Sequence, residues 1–330
     1  MKLTQLIAQY VTFRKSLGQD FESDERRLRT FSRFVGESAE IDSVKPPQVA
    51  AFLAGRGPIT RYWHLKYRTL RGFFSYAVTR GYLSTSPLPA TVPKPPARFI
   101  PHIYSREELR RLLDGTASYQ KHKTRIVMEP HTFRAILLLL YGGALRVSEA
   151  LSLNLTDVDL EEAVIVIRDT KFYKTRLVPL GSDLNDVMTK YAKQRKRDGH
   201  SQSNNAPFFV TRLGARISSR LLRCAFQRLR IHSAVRRQGG PPCQPRLHDL
   251  RHAAAVHRLT AWYREGKDVH RLLPLLSTYL GHVDIASTQL YLTMTPELLH
   301  EATSGLSGKG QPLTKLKRCK VQRSPIPGLS

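Results

Sequence analysis

The chain has 330 residues, 41% of them hydrophobic, with 53 Lys+Arg against 26 Asp+Glu for a formal net charge of +27. That length accommodates two domains with a sizeable core, and the hydrophobic fraction excludes a disordered basic tail as the whole protein. A folded chain with so large a positive field points to a polyanion, nucleic acid ahead of an anionic membrane surface.

Leu3, Leu6, Ile7, Tyr10, Phe13 and Leu17 recur at helical spacing. Leu28, Phe31, Phe34 and Val35 form a second stripe, Val49, Phe52 and Leu53 a third, and Leu70, Phe73, Phe74, Ala77 and Val78 a fourth. The N-terminal part therefore reads as helices only. Around the last stripe stand Arg61, His64, Lys66, Arg68 and Arg71, which predict a basic face against phosphates or a solvated charged face. Thr4, Gln5 and Gln9 interrupt any signal-peptide core, so a cytoplasmic location is expected. From Pro87 to Pro101 six prolines predict a stiff, extended linker.

The larger C-terminal part opens with a capping box, Ser105 and Glu108. A buried helix is predicted across Phe133 to Tyr141, broken by Gly142-Gly143, with a new helix starting near Leu145. Ala135 to Tyr141 is the longest apolar run and far too short to span a bilayer. Val164 to Ile167 and Thr175 to Leu180 read as a small hairpin. Helices are predicted over 184–196, 217–232, 249–264 and 268–280, the second carrying Arg220, Arg223, Arg228 and Arg230. Thr295-Pro296 reads as an N-cap and first helical residue ahead of Leu298, Leu299, Ala302 and Leu306. The tail beyond residue 306 is basic, with no acidic residue, and is expected to stay disordered until it meets DNA. Cys224, Cys243 and Cys319 are scattered and form no CxxC pair, which argues against a disulfide framework or zinc ribbon. The fold class that follows is mainly α with a small β-sheet.

Three fragments carry chemistry. In His248-Asp249-Leu250-Arg251-His252 a helix places His248 and Arg251 one turn apart, so an imidazole and a guanidinium fork can reach one phosphate. A basic helix start with incidental histidines is the bland alternative. The same letters resemble a zinc-binding HExxH, but Asp is short for the base, Arg251 would crowd the metal, and no third ligand is evident. In Gly142 to Glu149, the Gly-Gly turn ahead of a helix suggests backbone N–H groups for an anion beside Arg146, with Glu149 orienting the guanidinium. A surface Glu–Arg pair of small worth is the alternative there. The hairpin with Lys171, Lys174 and Arg176 leads into Leu177-Val178-Pro179-Leu180.

Taken in order, Gly142 to Glu149, this hairpin, HDLRH, Leu280-Gly281-His282 and Tyr291 resemble the tyrosine recombinases, also called phage integrases. The segment Leu70 to Ala77, with Gly81-Tyr82-Leu83 and Ser86-Pro87, is similar to the last helix of that family's core-binding domain. The resemblance implies an all-α core-binding domain at 1–90, a linker at 91–102, an α+β catalytic domain at 103–306 and a basic tail at 307–330. It implies that Arg146 and Arg251 clamp the scissile phosphate and that Lys171 protonates the departing 5′-oxygen, with Lys174 the alternative. His248 assists proton transfer, His282 hydrogen-bonds the phosphate, Tyr291 attacks nine residues after His282, and Glu149 supports the first arginine. A phenol with a pKa of about 10 needs such a positive site, and two arginines stabilise the transition state without metal or other cofactor.

Arg251 and His282 lie farther apart than in compact members of the family. The extra length is expected around Trp262 to Leu276 as an insertion between helices, with Pro274 bending the second. The implied partner is double-stranded DNA, bound by a homo-oligomer (a tetramer on paired sites) or with partner recombinases. The helix after Pro296 is expected to pack on a neighbouring subunit. Relaxation by a type IB topoisomerase and a catalytically silent DNA-binding protein are the alternatives. The core-binding wording and the C-terminal helix favour the recombinase.

Overall fold

The computed structural model describes residues 1–55, 59–96, 99–118, 127–168, 175–240, 243–282 and 284–293. The chain divides into two compact units, Met1–Arg98 and Phe99–Ser330. Among the described residues no helix is long and apolar enough to cross a membrane.

Four helices form the N-terminal unit: α1 (Leu3–Ser16), α2 (Glu22–Val35), α3 (Pro46–Ala54) and α4 (Arg61–Thr79). Each turns its apolar stripe inward, and Leu3, Leu28, Phe31, Val49, Phe73, Phe74 and Ala77 are fully buried. Removing one such ring, as in Phe73→Ala, is worth about 3–5 kcal/mol. Phe13, Leu17 and Phe34 lie at the margins of their stripes and stay exposed. Gly72 lets α1 approach α4, because a Cβ there would stand 2.6 Å from the Tyr10 hydroxyl oxygen. Lys66 departs from the expected basic face. It is buried, and its ammonium donates to the carbonyls of Phe52 and Leu53 at the end of α3. Those carbonyls lack partners within their own helix, so Lys66 serves as a C-terminal cap.

The described residues between Gly81 and Tyr104 contain no helix or strand. Their last part already belongs to the C-terminal unit: the Arg246 guanidinium lies 3.6 Å from the Phe99 ring centroid, and the Tyr104 hydroxyl donates to the Arg246 carbonyl.

The C-terminal unit begins with α5 (Arg106–Gly115), whose first turn is closed by the Ser105–Glu108 capping box. Helix α6 (Pro130–Gly142) runs through the centre, with Phe133, Ile136, Leu139 and Leu140 buried. It packs against α8 (Ser182–Arg197) and α10 (Leu247–Arg264). Between them lie α7 (Val147–Ser152) and an antiparallel sheet of β1 (Val158–Asp159), β2 (Val164–Ile167) and β3 (Arg176–Pro179) in that order. The register pairs Ile165 with Val178 and Ile167 with Arg176, so Ile165, Ile167 and Val178 enter the core. Strand β1, two residues long, is absent from the hairpin expected from sequence, because so short a strand shows no alternation. Helix α9 (Ser219–His232) holds Arg230 inside rather than on its basic face, bonded to the Val235 carbonyl and Gln244 Oε1.

Four residues join α10 to α11 (Val269–Leu280), so the span from Arg251 to His282 holds no inserted loop. Its length lies in the two helices themselves, whose inner faces carry Val256, Leu259, Leu273 and Leu276 into a shared apolar cluster. Helix α11 runs on across Pro274. The described chain closes with α12 (Ala286–Gln289) and a 3-10 turn, Leu290–Thr293.

Candidate active site

The site assembles where α6, α10, α11 and the final 3-10 turn meet. The Gly142-Gly143 turn ends α6, and Ala144 follows with φ +48°, a left-handed conformation that costs an L-residue about 1–2 kcal/mol. That geometry points the Ala144 carbonyl at Arg251, whose Nη1 donates to it at 2.5 Å, while Nη2 donates to the Leu280 carbonyl. Arg251 is 2% exposed. One residue further along, the Gly281 carbonyl accepts from Arg146 Nη2 at 2.9 Å. Two successive carbonyls at the end of α11 thus anchor the two guanidiniums, a favourable place for cations because helix C-termini carry partial negative charge.

Glu149 is the single carboxylate among them. Its Oε1 accepts from Arg146 Nη1 at 2.6 Å, and its Oε2 accepts the Arg146 backbone N–H at 2.8 Å. Arg176 of β3 completes a fork on the same group, with Nη1 and Nη2 donating at 3.0 and 2.8 Å. Burial alone would raise the Glu149 pKa, but the hydrogen bonds from Arg176 and Arg146 hold it at about 2. Gly281 makes room for this arrangement. Its φ is +64°, and a Cβ would stand 2.7 Å from Arg176 Nη1. The backbone N–H groups of Gly143 and Ala144 are already bonded to the Leu139 and Tyr141 carbonyls. The expected anion cradle at the Gly-Gly turn is therefore not formed by those two groups, and side chains carry the positive charge instead.

Helix α10 is capped in the same manner as α7: Asp249 accepts the Arg246 backbone N–H at 2.9 Å and pairs with its guanidinium at 2.8 Å. That occupies the Asp in the position the zinc reading would assign to a base. Among the described residues no cluster of three or more His, Cys, Asp or Glu side chains could hold a metal ion. His248 stands edge-on to His252, ring centroids 4.8 Å apart, and burial followed by the charge of Arg251 lowers its pKa.

Tyr291, in the final turn, is 2% exposed. Its hydroxyl lies 3.1 Å from His252 Nδ1, and its ring stacks on His282 at 6.1 Å. His282 Nδ1 is held by Thr288 Oγ1 at 2.8 Å, which sets the ring's orientation. Burial pushes the Tyr291 phenol above its ordinary pKa, with Arg251 opposing. Burial and then Arg251 bring His282 down to about 4, and burial and then His248 bring His252 to the same value. Burial and then Arg146 lower Arg251 to about 10, so it stays charged at neutral pH.

Arg146, His248, Arg251, His282 and Tyr291 are thus gathered in one place, while Lys171 and Lys174 lie outside the described residues. Two participants escaped sequence reasoning. Arg176 carries a signal, standing directly before the Leu177-Val178-Pro179 strand, but nothing in the sequence pairs it with Glu149. In the sequence His252 suggests only a metal ligand or an incidental histidine, and its link to Tyr291 joins segments far apart in the chain.

The phage integrase family model matches residues 105–297. A putative integrase/recombinase, y4rB, of Sinorhizobium fredii is 33% identical over 94% of this chain and 98% of its own length. The tyrosine recombinase XerC of Thermodesulfovibrio yellowstonii is 30% identical over 87% of this chain and 88% of its own. Among solved structures, the Tn1549 transposon integrase in complex with a circular intermediate DNA aligns with TM-score 0.67 at 19% identity, covering 93% of this chain and 99% of that one. A lambda integrase dimer bound to a COC′ core site aligns with TM-score 0.63 at 18% identity, covering 87% and 97%. On the family model and on full-length relatives at this identity, the chain belongs to the phage integrase family, the tyrosine recombinases.

Proposed function

We propose that the protein is a site-specific recombinase that cuts and rejoins double-stranded DNA through a 3′-phosphotyrosine intermediate on Tyr291. The observation that carries this reading is the charge balance around that phenol. Arg146 and Arg176 pair with one carboxylate, that of Glu149, Arg251 adds a third guanidinium beside them, and the excess positive charge suits an anion. A phosphodiester supplies it, and its pentacoordinate transition state, which gains charge, is held more tightly still. Arg146 and Arg251 clamp the non-bridging oxygens, His282 hydrogen-bonds the phosphate, His248 assists proton movement there, and Lys171 of the hairpin protonates the leaving 5′-oxygen. The phosphotyrosine ester conserves the bond energy, so religation needs no nucleotide.

Matches along nearly the whole chain to recombinases favour strand exchange over relaxation of supercoils. The N-terminal unit acts as the core-binding domain (1–90), residues 91–102 link it to the catalytic domain (103–306), and the basic tail (307–330) adds phosphate contacts. The protein works as a homo-oligomer on paired sites, a tetramer, or together with partner recombinases. The lambda integrase dimer on its core site supports assembly on DNA.

Nicked duplexes that let the cleaved end diffuse away test the chemistry. Full-length protein should accumulate a covalent adduct, in chelator and without nucleotide, and peptide mapping should locate it on Tyr291. An adduct on Tyr279, or cleavage that zinc restores after chelation, would overturn the assignment.

A further inference from the structure

The Tyr291 hydroxyl has two neighbours of opposite character. Arg251 lowers its pKa by its charge, and a guanidinium cannot accept a hydrogen bond. The phenol's proton therefore finds no acceptor on that side and needs a partner inside a site where the side chain is 2% exposed. His252 Nδ1, at 3.1 Å, takes it, which places that ring's proton on Nε2. The imidazole has its lone pair free at neutral pH, because burial and then His248 hold its pKa at about 4. The charged and titratable groups around it are His248, Asp249, Arg246 and Arg251 of its own helix and Tyr291 of the final turn. The imidazole bonded to the phenol is thus His252, while His248 feels the charge of Arg251 and Arg146.

We propose that His252 orients the Tyr291 nucleophile and accepts its proton during strand cleavage. This rests on the reading of Tyr291 as the nucleophile. In cleavage Tyr291 Oη forms a bond to phosphorus while its proton passes to His252 Nδ1. The bond from phosphorus to the 5′-oxygen breaks, and that oxygen takes a proton from the site's general acid, the part assigned to the hairpin lysine. In religation the 5′-hydroxyl attacks phosphorus and returns its proton to that acid. The departing phenolate recovers its own from His252. Arg251 steadies the phenolate in both directions, so a low proton affinity at His252 suffices to share the proton in the transition state.

Single-turnover cleavage of nicked duplexes by the full-length protein tests this. His252→Ala should cleave roughly 100-fold more slowly at unchanged DNA affinity, the scale of one general base. His252→Asn still accepts a hydrogen bond but takes no proton, and it should remain at least about tenfold slow. Replacing Tyr291 with difluorotyrosine, whose phenol is more acidic, should speed the His252→Ala protein more than the parent. A His252→Ala protein with the parent's rate overturns the proposal, as does full recovery by His252→Asn or the same difluorotyrosine factor in both backgrounds. Should His252→Ala fail to fold, the Asn variant carries the same comparison. If the parent protein forms no adduct at Tyr291, the nucleophile assignment itself fails. A parent adduct with undiminished His252 variants defeats only the role of His252.

Discussion

Lys66 in the N-terminal unit and Arg251 in the C-terminal unit use one local device for different ends. Both are buried cations that donate to backbone carbonyls near the end of a neighbouring helix, Lys66 on α3 and Arg251 on α11. Burial lowers the pKa of each. Around Lys66 the remaining contacts are aromatic, with the ammonium 4.9 Å from the Phe52 ring centroid. Around Arg251 the fields of Arg146, Tyr291, Glu149 and Arg176 converge. A buried cation satisfied by carbonyls and a ring completes a fold. A buried cation beside other cations, with one carboxylate among them, carries charge that its surroundings leave unbalanced. The number of like charges left uncompensated separates the two, not burial.

The largest effect that tests this contrast is on cleavage. Arg251→Ala should slow adduct formation about 10²–10³-fold, or roughly 3–4 kcal/mol of barrier, measured per folded molecule in single turnover. Lys66→Met should leave that rate unchanged. A cleavage defect in Lys66→Met larger than its loss of folded protein would break the contrast.

Glu149→Gln comes next. It leaves Arg176 and Arg146 without their carboxylate, and breaking such a buried network costs about 3–5 kcal/mol, read from denaturant unfolding. Unchanged unfolding would show that Glu149 is not the structural counterweight of the site. Lys66→Met should cost less, about 1–3 kcal/mol, because it leaves two carbonyls unsatisfied but no charge.

Acid has the most gradual effect. His252 and His282 sit at about 4 in the folded chain against 6.5 for a free imidazole. As pH falls from about 6.5 towards about 4, the unfolded chain takes up protons that the folded chain does not, so stability is lost across that window. Glu149, at about 2 against 4.5, adds a further loss below that range as the pH falls through it. Thermal melts in steps of pH should decline from about 6.5 downward, and His252→Asn should flatten part of that decline. A flat response would place both imidazoles in water.

Most of the helical framework was legible in the sequence, because apolar residues at helical spacing must face a core whatever the partner helix is. The order of Arg146, His248, Arg251, His282 and Tyr291 was legible too, since a motif set is a property of the chain. Local capping was readable at Ser105 and Glu108, where both partners lie within one turn. Strand β1 was not, being too short for a period, and the insertion expected between the two helices that became α10 and α11 is not there, because extra separation looks the same whether it is loop or helix. What needed tertiary structure was the fate of individual charges. Lys66 and Arg230 read as surface cations, yet both are buried, Lys66 on the carbonyls of another helix and Arg230 on the Val235 carbonyl and the Gln244 side chain. Arg176 gains its place only when β3 is laid beside α7, and His252 only when the final turn is folded onto α10. Periodicity records which face of an element is apolar, whereas the partner of a buried charge is chosen by residues far away in the chain. That choice is made when the elements close on one another, and it decided which cations of this protein cap helices and which stand around Tyr291.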